Sequence, residues 1–69
     1  MRGIFVIRDK DSHKFWTGAE WNQHHSDAKM YHHLPDAIAV AKDLKNGAVQ
    51  GVEVVDGYDF TEPNVRWSG

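Results

Sequence analysis

The stretch LPDAIAVAKDLKNGAVQGVEVVD, residues 34–56, decides how the rest of the chain is read. Leu34, Ala37, Ile38, Ala41 and Leu44 recur at the i, i+3, i+4, i+7 spacing of one buried helical stripe, with Val40 and Lys45 at its margins. Asp36, Lys42, Asp43 and Lys45 fall largely outside the stripe, where water solvates them. Pro35 suits a first turn, because the amide hydrogen it lacks would have no helical partner there. Asp36 then meets the positive end of the helix dipole, and Lys42 and Lys45 the negative end. Asn46-Gly47 supplies a stop able to take positive φ. The GVEVVD that follows is a strand, with Val52 and Val54 on one face and Glu53 pointing away.

Working outward, residues 3–8 (GIFVIR) are β-branched and aromatic and read as a strand with apolar residues on both faces. Ile4 and Val6 share one face, Phe5 and Ile7 the other. Asp9-Lys10-Asp11-Ser12-His13 is turn chemistry, since Asp and Ser side chains bond their own backbone. Residues 14–17 (KFWT) resume as a second strand and make a hairpin with the first. Gly18 breaks it, and Glu20-Trp21-Asn22 is a short continuation or third strand. Residues 23–26 are loop-like, and residues 28–32 (AKMYH) read as a further strand feeding the helix. The expected fold is a small two-layer α+β domain: an antiparallel sheet of three to four strands in the order β-β-β-α-β, one face covered by a single helix. A parallel pairing of the strands on either side of the helix, by a right-handed crossover, is an open alternative. Residues 1–57 form the domain. Residues 58–69 are a C-terminal tail without a clear period, which Tyr58, Phe60 and Trp67 are expected to pack in part onto the body.

A chain of 69 residues is one small domain, and chains of this size bury only about 60% of their unfolded surface. Three Trp, three Phe and two Tyr are the material that must compensate. With no cysteine, disulfides and thiolate metal sites are excluded, which fits a reducing cytoplasm. The four-residue apolar run near the start is too short for a signal peptide or membrane span. Net charge is -2, with a mildly acidic end after Gly51, too sparse for a nucleic-acid mimic. A sequence-independent nucleic-acid binder usually carries a basic excess that this chain lacks.

No catalytic constellation is legible. Ser12 and Ser26 lack a nucleophile elbow, and His13 beside Ser12 is adjacency without a triad. The glycines are isolated turn residues rather than a phosphate cradle. The chain is therefore read as a non-enzyme with no cofactor. His24-His25 and His32-His33 raise a metal reading, but adjacent histidines in a strand point to opposite faces. Only His25 and His33, with Asp27 or Asp36, could converge, and surface histidines are the preferred reading, so no metal site is assigned.

The aromatic corner FWTGAEW, residues 15–21, carries the functional expectation. Strand neighbours alternate, so if Phe15 faces the helix, Trp16 faces away. An exposed Trp16 beside Trp21 would be a contact hot spot for a partner, with Lys14, Glu20 and Tyr31 completing the surface. The same rings could stack a nucleobase, with Arg8, Lys10 and Lys14 near for phosphate. The bland reading puts both indoles in a core too small to close without them.

The hairpin FVIRDKDSHKFWTG, then DAKMY, then an alanine-rich helix ending before GVEVV, resembles a loose class of small phage and prophage proteins. The resemblance covers residues 4–55. It implies a cytoplasmic accessory protein of a bacterial host cell and transfers no catalytic residue. By size and setting, inhibitors of host defence such as anti-CRISPR proteins are analogues. The expected function is a protein-interaction module that binds and modulates a host protein, with no membrane partner. The alternatives are a nucleic-acid module using an exposed sheet face and a homodimer whose edges or aromatic faces pair.

Overall fold

The computed structural model describes residues 3–46, 51–57 and 65–69. Among these residues, five strands and one α-helix follow in order: β1 (Phe5–Asp9), β2 (Phe15–Trp16), β3 (Trp21–Asn22), α1 (Leu34–Lys45), β4 (Val52–Asp56) and β5 (Val65–Ser68). They form one antiparallel sheet in the order β3-β2-β1-β4-β5, with α1 lying over β4 and β1. This is the α+β arrangement expected, with more strands than the three or four read from the sequence.

The helix begins where the sequence placed it. His33 is the N-cap in extended conformation, and its carbonyl accepts from the Asp36 and Ala37 amides at 3.1 and 3.2 Å. Pro35 lies in the first turn and Lys42 and Lys45 in the last. Asn46 closes the helix in right-handed conformation, and the glycine stop expected at Gly47 lies outside the described residues. The helix meets the sheet through Ala37 and Ala41, both fully buried against Ile7, Val52 and Val54. Two methyl side chains at this seam let the helix backbone approach the sheet closely.

The central pair β1 and β4 is buried on both sides. The register from Phe5↔Asp56 to Asp9↔Val52 sets Phe5, Ile7, Val52 and Val54 on the helix face. It sets Val6, Arg8, Glu53 and Val55 on the opposite face, where Val6 and Val55 pack with Phe15 and Ala28. Among the described residues, Ile7, Val6, Val52, Val54 and Val55 are the largest fully buried side chains. Each contributes about 1.5–3 kcal/mol on leaving water, so this strand pair is the main source of stability. Glu53 does point away from the helix, as expected, yet it is only 9% exposed. It sits opposite Arg8, whose Nε donates to Glu53 Oε1 at 2.7 Å while the guanidinium Nη2 pairs with the same oxygen. A carboxylate here without that partner would be desolvated and uncompensated.

The segment read as a strand over residues 28–32 is not one. After β3 the chain makes a single 3-10 turn, His25–Asp27, closed by hydrogen bonds from the Asp27 amide to the His24 carbonyl and from the Ala28 amide to the His25 carbonyl. Ala28 turns inward against Val6, Phe15 and Val55, which takes the chain out of a regular ladder. All that survives is one bridge, in which Phe5 and Tyr31 exchange both backbone hydrogen bonds at 2.8 Å. The parallel crossover does not form either, because residues 28–32 are not a strand and both neighbours of β4, β1 and β5, run antiparallel to it. Part of the segment read as a tail is β5, paired with β4 through Glu53↔Ser68, Val54↔Trp67 and Val55↔Val65. A bulge between the last two pairs breaks the ladder, so that Trp67 packs on the core while Val65 stays exposed. Tyr58 and Phe60 lie outside the described residues.

Turn chemistry joins β1 to β2 as expected. The Asp9 amide donates to the Lys14 carbonyl at 2.8 Å, and Asp9 Oδ1 accepts from the Asp11 amide at 2.8 Å. Gly51 matters more. It has φ +89°, its carbonyl accepts from the Lys10 amide, and a Cβ there would run into the Gly69 carbonyl oxygen.

Gly51→Ala should therefore cost about 2–4 kcal/mol, from positive φ and the backbone collision together. Urea unfolding checks this, and a loss below about 1 kcal/mol would contradict it. For the partly exposed ion pair, Arg8→Leu and Glu53→Leu should each cost about 1–3 kcal/mol, by leaving the other partner unsatisfied. The double variant should recover at least about 1 kcal/mol of their sum, and strict additivity would show that the pair is not coupled.

Candidate functional site

The sheet alternation places the aromatic corner in the reverse of the orientation expected for an exposed Trp16. Arg8↔Phe15 is the register between β1 and β2, so Phe15 shares the face of Arg8, away from the helix. There it is buried, with His25 meeting its ring edge-on at 6.4 Å between centroids. Trp16 consequently lies on the helix face, half-buried against the core, and Trp21 lies opposite it in the register. The two indoles pack edge-to-face, 5.3 Å between centroids and 62° between planes. Because α1 covers β4 and β1, the pair forms a shoulder beside the helix at the β2–β3 end of the sheet. Trp67 on β5 packs on the same core from the other end.

The loop holding the shoulder is built by Thr17. Its hydroxyl donates to the Glu20 carbonyl at 3.0 Å and accepts from the Ala19 and Glu20 amides at 3.3 and 3.1 Å. Gly18 takes φ +104°, which a side chain rarely adopts, and a Cβ there would press on the Lys29 side chain. The Thr-Gly corner is thus a structural device that turns β2 into β3.

Of the residues expected at a partner surface, Trp16, Trp21 and Tyr31 do pack against one core. Lys14 and Glu20 are exposed at opposite ends of the strand pair. Lys29, which the sequence reading passed over, completes the group. Its amide donates to the Trp16 carbonyl at 2.8 Å, and its ammonium lies 5.7 Å from the centre of the Tyr31 ring. The period-two spacing of Lys29 and Tyr31 is the signal that could have paired them. Burial raises the Tyr31 phenol above its ordinary value of 10.0.

Arg8 does not serve this surface. It lies on the opposite face, held by Glu53. That face also lacks the open platform that the sheet-face nucleic-acid alternative needs, since Val6, Val55, Phe15 and Glu53 on it are all buried. The convergence considered for His25, His33 and Asp27 or Asp36 does not occur: among the described residues no three His, Asp or Glu side chains come together to hold a metal ion. Nor is any helix among them long and apolar enough to cross a membrane. Comparison with protein-family models, curated proteins and solved structures finds no match to this chain.

A raised phenol keeps its proton longer in the folded state than in the unfolded one. The stability it contributes is complete below about pH 10 and is lost as pH rises through the folded value. Tyr31→Phe should flatten the fall of stability above about pH 10, measured by urea midpoints across an alkaline series. An unchanged slope would mean that burial of the phenol has no such consequence.

Proposed function

We propose that this chain is a small non-enzymatic interaction module, a phage or mobile-element accessory protein that binds and modulates a protein of its bacterial host. The observation that carries the reading is the shoulder of Trp16 and Trp21, half-buried indoles in edge contact beside the helix. Indoles held rigid by a scaffold and still open on one side lose little entropy on contact, and Trp is enriched at the energetic centres of interfaces. Tyr31 and Lys29 add an amphipathic neighbour, and Lys14 and Glu20 give charges of both signs for a polar rim. Inhibition of a host defence protein is the specific form of modulation proposed.

The nucleic-acid reading has less support. Its phosphate contacts would have to come from exposed lysines of both hairpin and connector, against a chain of net charge -2.

The test is affinity capture from a bacterial lysate, with and without nuclease, using wild-type chain and variants. A stoichiometric protein partner that survives nuclease supports the module, whereas recovery that disappears with nuclease overturns it. Trp16→Ala should weaken the captured complex by more than about 1 kcal/mol. Since Trp16 also packs on the core, Lys14→Glu and Glu20→Lys serve as exposed variants that leave folding intact and should alter the association rate.

A further inference from the structure

The sheet ends in two edges, and they are protected differently. At β5 the ladder carries a bulge, and Arg66 stands half-exposed, reaching Asp56 at 3.4 Å. Bulges and edge charges are the usual defences against strand addition. At β3 the register with β2 is regular, and Trp21, Asn22 and Gln23 carry no charge.

The hydrogen bonding shows which groups β3 offers. The Thr17 amide donates to the Glu20 carbonyl at 2.9 Å, so Thr17 and Glu20 are a hydrogen-bonded pair. Antiparallel ladders alternate, which makes the next pair, Trp16↔Trp21, non-hydrogen-bonded. The N–H and C=O of Trp21 therefore point away from β2, toward the open edge. Trp16 obeys the same rule on its own side, where its carbonyl accepts from Lys29 rather than from β3. Beside Trp21, Asn22 Oδ1 accepts from the His24 amide at 2.9 Å, leaving its NH2 group as the end available to a partner.

We infer that β3 is the pairing edge for a second copy of this chain. Two β3 strands meet antiparallel about a two-fold axis at Trp21, and each Trp21 exchanges N–H···O=C bonds with the other. That register sets Glu20 of one copy opposite Asn22 of the other, twice over. Carboxylate acceptor meets amide donor, and no like charges oppose each other. The indoles of both copies fall on the helix face and extend the Trp16–Trp21 row across the axis. A strand of two residues buries little area, so the association is weak and depends on concentration. The inference does not depend on the proposed host partner.

Sedimentation equilibrium of the full chain from about 10 μM to about 1 mM should show the mass rise from 7.9 kDa toward twice that value. Trp21→Lys, which sets two ammonium groups at the axis, should hold the mass at one chain, while Val65→Lys on β5 should leave the rise unchanged. A chain without cysteine allows a second reading that preserves Trp21. Glu20→Cys mixed with Asn22→Cys under mild oxidation should give a disulfide-linked pair far in excess of either variant alone. A mass that stays at one chain up to about 1 mM overturns the inference, as does a rise that survives Trp21→Lys, or cross-linking no greater in the mixture.

Discussion

The structure depends on one constraint: the pairing of β1 with β4, which must be covered on both faces by a chain of 69 residues. The helix closes one face through Ala37 and Ala41. Phe15 and Ala28 close part of the other, and that requirement shapes the hairpin and the connector after it. Once Phe15 is drawn to the far face, strand alternation puts Trp16 on the helix side, and cross-strand pairing puts Trp21 beside it. The aromatic shoulder is thus a consequence of filling the second face.

A doubly covered strand pair leaves little room for charge. Asp9 and Asp56 stand at its ends, and within it Arg8 and Glu53 are placed opposite each other on the face away from the helix. Their pairing allows a carboxylate in the middle of a run of four buried residues, Val52 to Val55. An arrangement of this kind favours one register. A slip of one residue would bury Glu53 on the helix side, against Ala37 and Ala41, and strand its guanidinium partner on the other.

The two ends of the sheet then differ in character. Trp67 and the bulged β5 finish one end, with Arg66 and Asp56 at the surface. The other end carries a regular two-residue strand and two half-buried indoles. Function is proposed for the second end because aromatic area and polar backbone are both presented there, with the charges of Lys14 and Glu20 at the rim.

How much of this was legible in the sequence follows from the range of the interactions. The helix over Leu34–Lys45 could be read with its bounds, because a 3.6-residue period, Pro35 and the end charges are local and mutually consistent. The hairpin turn was equally local, and so was the pairing of Val52 with Val54 on one face. The exposure of Trp16 was not, since alternation relates Phe15 to Trp16 but only tertiary packing decides which of the two meets the helix. Ala28 and Tyr31 were misread as strand because their apolar spacing also suits a turn that buries Ala28 and one bridge to Phe5. Val65–Ser68 alternates apolar and polar residues, but it is four residues long and only pairing with β4 makes it a strand, and Lys29 became part of the site only through a carbonyl thirteen residues before it, that of Trp16. Local period and capping lie in the chain itself, whereas face, edge and partner depend on which of several possible surfaces the compact chain has room to bury.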